Sequence, residues 1–167
     1  MRTLYMANPS DPRATTEHLT FRRATRSDVP AIVAMLADDE LGAVRERTSA
    51  EELEPYLRAF DDVAADPNQF LCVAEQAAAV VGTLQLTFIP GLSRGGSRRG
   101  QIEAVRVARA NRGHGIGASL IQWAIERCRE NGCALVQLTT DKERGGALRF
   151  YQGLGFTASH VGLKLKI

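Results

Sequence analysis

The fold class this sequence predicts is a single layered α/β (α+β) domain, with segments in the order β-α-α-β-β-β-α-β-α-β. Two observations predict it. The 167 residues are 44 % apolar and 24 % charged, the profile of one globular unit with a sizeable core and not of a disordered or fibrous chain. Apolar residues also recur at helical spacing in four stretches, separated by short runs rich in β-formers. There is no internal repeat and no low-complexity tract. The 21 Lys+Arg against 19 Asp+Glu leave a net charge of +2, too small to argue for a nucleic-acid partner.

Taken in order, residues 1–18 hold Pro9, Pro12 and four charged residues without an apolar run, so they read as a flexible arm and not as a signal peptide. The domain is expected over 19–167. Residues 19–24 form a first strand. Thr25 and Asp28 stand three apart, the spacing of a capping arrangement, and Pro30 falls in the first turn, where a missing N–H is tolerated. Val29, Ile32, Val33 and Leu36 then lie on one helical face, and Leu53, Leu57, Phe60 and Val63 suggest a second amphipathic helix. Residues 70–74 and 80–88 read as a hairpin of two strands, although its link, Gln76-Ala77-Ala78-Ala79, lacks the usual Asn-Gly or Asp-Gly. Residues 93–100 read as a loop with three arginines and three glycines, and 102–108 as the next strand. A glycine turn over 112–117 leads into a helix marked by Ile116, Leu120, Ile121, Ala124, Ile125 and Cys128, which Asn131-Gly132 stops. Residues 134–139 form a strand, Ala147, Phe150, Tyr151 and Leu154 a short helix, and 160–167 the closing strand.

Cys72, Cys128 and Cys133 are odd in number and lack CxxC spacing, so they are expected as free, packed thiols in a reducing, cytoplasmic setting. No run approaches the roughly 18 apolar residues of a membrane span. His18, His114 and His160 show no ligand spacing, and no metal is expected.

The chemistry concentrates in residues 105–118, where a strand enters a glycine turn that opens a helix. The first N–H groups of a helix have no partner within it, and the macrodipole puts partial positive charge there. Glycines at such a turn let an anion approach those donors, which points to a phosphate or diphosphate carrier. A P-loop fails, because Ala118-Ser119 follows Gly117 where Lys-Ser/Thr would be required. Gly113, Gly115 and Ala118 match a dinucleotide pattern, with Asp141 as ribose partner. But Ala108–Arg112 separates that pattern from its strand, and about fifty residues follow it, too few for a doubly wound sheet.

The pattern Arg112-x-x-Gly115-x-Gly117 resembles the [RQ]xxGx[GA] diphosphate motif of the GNAT superfamily of acyl-CoA-dependent N-acyltransferases. Ile102-Glu103-Ala104-Val105-Arg106-Val107 is similar to the strand before that motif. Arg149-Phe150-Tyr151-Gln152-Gly153-Leu154-Gly155-Phe156 is similar to the family's FYxxLGF segment, and Arg23-Ala24-Thr25-x-x-Asp28 to its opening. The resemblance implies a mixed, mostly antiparallel twisted sheet flanked by helices and splayed between strands 4 and 5. It implies acetyl-CoA as cosubstrate, with pantetheine along Val105, Arg106 and Val107, whose backbone groups a bulge and the splay leave unpaired to a neighbouring strand. The diphosphate would lie on Arg112, Gly113, His114, Gly115, Ile116, Gly117 and Ala118. It also implies a homodimer.

Acyl transfer to an amine needs a base, an oxyanion donor and an acid for the thiolate. The resemblance places the Val105 N–H as oxyanion donor and Tyr151 beside the sulfur as acid. Glu103 is the base candidate, expected on the same strand face as Val105 because it lies two residues earlier. No cysteine falls at a motif position to form an acyl-enzyme, so direct transfer is expected. Asp141 stands where many family members carry Asn. Asp38, Asp39, Glu40 and Glu46 are candidates to attract a cationic amine, or form an acidic solvated helix end. A small-molecule amine is the expected acceptor. A protein N-terminus or lysine, and a non-catalytic acyl-CoA sensor, are the rival readings.

Overall fold

The computed structural model describes residues 19–38 and 46–167. The arm over 1–18 and the acidic pair Asp39 and Glu40 lie outside the described residues. The strands are β1 (Thr20–Arg23), β2 (Gln69–Gln76), β3 (Ala79–Ile89), β4 (Arg98–Val107) and β5 (Cys133–Leu138). They form one sheet in the order β1-β2-β3-β4-β5, with every neighbouring pair antiparallel except the parallel β4–β5 pair. Helices α1 (Val29–Ala37) and α2 (Glu54–Ala65) cover one face. Helix α4 (Ile116–Glu130) covers the other, a four-residue turn, α3 (Ser93–Gly96), precedes β4, and α5 (Ala147–Gly153) follows β5. This is the expected mixed, mostly antiparallel architecture.

Two hydrophobic clusters follow from the two faces. The larger one packs Leu84, Leu86 and Ile102 of the sheet against Leu120, Ile121 and Ala124 of α4. The smaller joins Ala24, Ile32 and Val73 with Leu36, Phe60 and Leu71 on the α1/α2 side. The α4 contact is close because two strand positions lack a Cβ. At Gly100 a Cβ would stand 2.2 Å from Cys128 Sγ, and at Gly82 it would stand 2.9 Å from Leu120 Cδ1. Gly100 is therefore not a loop glycine. Strand β4 begins at Arg98, and only the front of the expected 93–100 loop is irregular.

The start of α1 is locked as its spacing predicts. The Thr25 N–H donates to Asp28 Oδ2 at 2.7 Å, and the Asp28 N–H to the Thr25 carbonyl at 2.9 Å. Arg22 of β1 grips Asp28 with two bonds of 2.7 and 3.0 Å and reaches Glu75 of β2 at 2.8 Å. The Arg22 guanidinium, with the Thr25 donors, holds the buried Asp28 carboxyl down at about 2 against burial, which works the other way. The β2–β3 hairpin turns at Ala77 and Ala78 with φ of 48° and 63°, so two alanines occupy the positive-φ positions that Asn-Gly usually fills.

One expected element is absent. Residues 157–167 carry no assigned strand, and Val161, Leu163, Leu165 and Ile167 stand exposed. The alternation that suggested a strand is present. A strand, however, needs a ladder partner as well as a pattern, and β5 ends the sheet at its outer edge. The cysteines are free, and burial pushes the Cys128 thiol up to about 12.

Candidate active site

The site starts from a defect in β4. Its pairing with β5 runs from Arg98↔Cys133 to Ile102↔Leu138 and stops there, while β4 continues to Val107 paired with β3 only. This is the expected splay. On the other edge, the β3 register slips between Thr83↔Arg106 and Gln85↔Glu103, so Ala104 and Val105 together oppose Leu84. Ala104 takes φ of 53°, the left-handed region that disfavours any residue with a Cβ. The result is a bulge.

The bulge corrects one expectation. Because it inserts a residue, side-chain alternation changes phase at Ala104. Glu103 pairs across β3 with Gln85, which faces α1 and α2. Val105 packs into the α4 cluster. Glu103 and Val105 thus lie on opposite faces of the sheet, not on the same one. Nothing in Glu103-Ala104-Val105 signals this, since no glycine marks the bulge.

Peptide groups point alternately to the two edges of a strand. The Ala108 N–H donates toward β3, to the Val81 carbonyl at 2.9 Å, so the carbonyls of Val107 and Val105 face the open side. Side chains of this chain already meet them. Arg106 Nη1 donates to the Val105 carbonyl at 2.9 Å, and Arg112 Nε to the Val107 carbonyl at 3.0 Å. Arg112 is therefore a brace and not a free solvated cation. Its Nη2 also reaches the backbone carbonyl of Asp38 at 2.8 Å and its carboxylate at 2.9 Å, tying the motif to the end of α1. Arg109 joins the same carboxylate at 3.1 Å. The sequence carries no sign of this brace, because 74 residues separate Asp38 from Arg112.

Beyond Arg112, Gly113 and Gly115 have φ of 82° and 81°, and a Cβ on either would meet nothing within 4 Å. Glycine is required there by backbone conformation, and the volume before the first turn of α4 is open. The N–H groups of Ile116, Gly117 and Ala118 head that turn, and the side chain of Ile116 is buried in the core. His114 is exposed. A Cβ at Gly117 would lie 3.5 Å from Phe150 and 3.7 Å from Val107, so α5 packs beside the same turn. An open anion cradle beside a strand edge that has no partner strand fits a ligand with a diphosphate and a trailing amide-bearing arm.

Tyr151 lies on α5 with its ring 5.1 Å from that of Phe150 and 6.0 Å from that of Phe156. Burial pushes its phenol above the ordinary value, against a lowering pull from Arg106 and Arg144, so it stays protonated at neutral pH. It packs on the Val105 side of the sheet. Glu103 and Tyr151 lie on opposite faces of the sheet.

The acidic candidates fare differently. Asp38 is engaged by the two arginines, and Glu46 accepts from the Tyr56 hydroxyl at 2.8 Å. Asp141 caps the turn before α5, its carboxylate accepting from the Glu143 N–H at 3.2 Å and its carbonyl from the Arg144 N–H at 3.1 Å. A cavity of about 120 Å³ lies on the Glu103 side, between α1, α2 and the sheet, and reaches Ala104. Sequence patterning missed it, since its walls come from five separate elements.

Residues 31–156 match the model of the acetyltransferase (GNAT) family. The chain belongs to that family. This GNAT protein is accordingly an acyl-CoA-dependent acetyltransferase. It is 29 % identical over 142 residues to the aminoalkylphosphonate N-acetyltransferase of Salmonella typhimurium, spanning 83 % of this chain and 85 % of that protein. With the glucosamine 6-phosphate N-acetyltransferase of Trypanosoma brucei brucei it shares 36 % over 88 residues, 53 % of this chain and 58 % of that one. Among solved structures, a transcriptional regulator from Bacillus halodurans C-125 superposes with a TM-score of 0.87 at 52 % identity, covering 90 % of this chain and 100 % of that one. Among the described residues, no helix of this GNAT chain is long and apolar enough to cross a membrane.

Proposed function

We propose that this acetyltransferase transfers the acetyl group of acetyl-CoA directly to the primary amine of a small molecule. The observation that carries the reading is the bulge at Ala104, which stands between the open turn of α4 and the cavity under α1 and α2. Acetyl-CoA would supply the activated thioester, held by the N–H groups over 113–118 and the edge of β4 that β5 does not pair. Arg112 would keep the turn in register with β4. Glu103 would take the proton that the ammonium must lose, directly or through one water. The Val105 N–H would donate to the carbonyl oxygen as negative charge builds on it. The neutral Tyr151 phenol would give its proton to the departing thiolate sulfur as the C–S bond breaks. The names of the two curated relatives, both N-acetyltransferases of small amines, support this reading.

The test is thiol release from acetyl-CoA over a panel of amines. Glu103→Gln should lower kcat about 100- to 1,000-fold with the acetyl-CoA Kd unchanged. Tyr151→Phe should lower kcat far more than acetyl-CoA affinity, whereas equal loss of both would make Tyr151 a packing residue. One observation favours a second reading: the Bacillus halodurans structure is described as a transcriptional regulator. A sensor that binds acyl-CoA without turning it over would show normal acetyl-CoA binding and no thiol release with any amine, peptide amines included.

The expected homodimer belongs to the same proposal. The exposed row Val161, Leu163, Leu165 and Ile167 and the outer edge of β5 support it. Sedimentation should give a dimer for the full chain and a monomer for Leu163→Glu/Leu165→Glu; a monomeric parent chain would refute it.

A further inference from the structure

The cavity under α1 and α2 has a chemistry of its own. Val29, Ile32, Val33 and Leu36 of α1, with Phe60 and Val63 of α2, form most of its wall. Helix α2 packs Phe60 against the cluster that holds Val73 and Leu71, and the cavity lies between it, α1 and the sheet. The polar groups lining the cavity are committed elsewhere. The Thr83 hydroxyl donates to the Cys72 carbonyl at 2.8 Å. The Tyr56 hydroxyl donates to Glu46 at 2.8 Å and accepts from the Arg47 N–H at 2.9 Å. Gln85 Nε2 donates to Gln69 Oε1 at 3.0 Å, which leaves the Gln85 carbonyl oxygen as the half of the amide not spent on that bond. No Lys or Arg is among the described lining residues.

A phosphate or phosphonate brought into this space would give up part of its hydration and meet no cation among the described lining residues, which leaves its charge unpaired there. An apolar body would gain from the same walls. A cavity of about 150 Å³ lined by such residues holds a benzene ring, so about 120 Å³ suits a group of roughly four to six carbons. The polar end is also defined. Gln85 lines the cavity and pairs in register with Glu103, next to Ala104. An amine there would meet an amide oxygen and a carboxylate, both acceptors suited to N–H donors.

We infer that the acceptor is a small primary amine with a compact apolar body of about four to six carbons and no phosphate or phosphonate group. It seats that body between α1 and α2 and presents its nitrogen to Gln85 and Glu103. This rests on the acetyl-transfer reading above and narrows it. It also separates this chain from the relatives named for a phosphonate-bearing and a phosphate-bearing amine.

The experiment compares kcat/KM in thiol release for 3-methylbutylamine, ethanolamine, 2-aminoethylphosphonate, glucosamine 6-phosphate and a tetrapeptide headed by leucine, with acetyl-CoA binding followed separately by calorimetry. The expected result is at least a 100-fold preference for 3-methylbutylamine over both phosphorus-bearing amines. Ala59→Phe, an exposed position on α2 that lines the cavity, should lower kcat/KM for 3-methylbutylamine at least tenfold with the acetyl-CoA Kd unchanged. Preference for a phosphorus-bearing amine or the peptide overturns the inference, as does an Ala59→Phe enzyme of undiminished activity. If acetyl-CoA binds and only the other amines are acetylated, the inference falls while the transfer reading stands. If acetyl-CoA does not bind, both fall.

Discussion

The two faces of the sheet are built from different materials. On the α4 face, the groups positioned for a ligand belong to the backbone: the first N–H groups of a helix, the edge of β4 that β5 does not pair and two glycines in the left-handed region. On the α1/α2 face the cavity is walled by side chains from α1, α2 and three strands. Backbone donors recognise what every acyl-CoA shares, and any sequence that keeps the turn keeps them. Side-chain walls can change one residue at a time without moving the turn. On the proposed reading, cosubstrate recognition falls in the part of the molecule that tolerates least change and acceptor choice in the part that tolerates most.

Each face can be perturbed without the other. Gly115→Val should have the largest effect. It places a branched side chain at φ of 81° and in the open volume before α4, so the acetyl-CoA Kd should rise about 100-fold by calorimetry. Amine preference at saturating acetyl-CoA should stay the same. A shift in that preference would break the division of labour between the faces.

Asp28→Asn acts on the other face, where Asp28 anchors α1 to β1 and β2 through Arg22. The Asp28 carboxyl titrates at about 2 in the fold against an ordinary value of 3.8. Its depressed value means that its contribution is fully present above the unfolded value and is lost as pH falls toward the folded one. Denaturant unfolding should therefore show about 2 kcal/mol of stability disappearing between about pH 4 and pH 2. In Asp28→Asn that loss should be present already at pH 7, and the acid limb should flatten.

Gly100→Ala should have the smallest effect. Its Cβ would collide with Cys128, itself buried against the sheet, so α4 must move outward slightly. Overpacking of this size costs about 1–2 kcal/mol. Because α4 carries the anion cradle, the acetyl-CoA Kd should rise a few-fold with the loss of stability. Unchanged affinity in a destabilised variant would show that the cradle does not depend on how α4 seats on β4.

The glycine turn was legible because it is local. Arg112 to Ala118 are contiguous, and the demand for glycine at a strand-to-helix turn comes from backbone geometry that neighbouring residues set themselves. The capping pair Thr25 and Asp28 was legible for the same reason. The hairpin was read from its flanking strands, although its turn carries two alanines where the usual signal is absent. The bulge was expected from the family resemblance alone, because no residue in the strand marks its place. Ala104 is an ordinary strand residue until β3 slips against β4, and that slip moves Glu103 to the face opposite Val105. The alternation over 160–167 was legible as a pattern, but forming a strand needs a partner edge that no pattern within the segment can supply.

By itself, then, the sequence determined the run of strands and helices and the helix that opens on a glycine turn, because each depends on residues near one another in the chain, while acyl-CoA as cosubstrate came from the resemblance to the GNAT family. The tertiary structure alone decided that Arg112 is braced by Asp38, that Glu103 and Tyr151 lie on opposite faces of the sheet, and that an apolar cavity waits beside Ala104. Those features join residues tens of positions apart, and only packing brings them into contact.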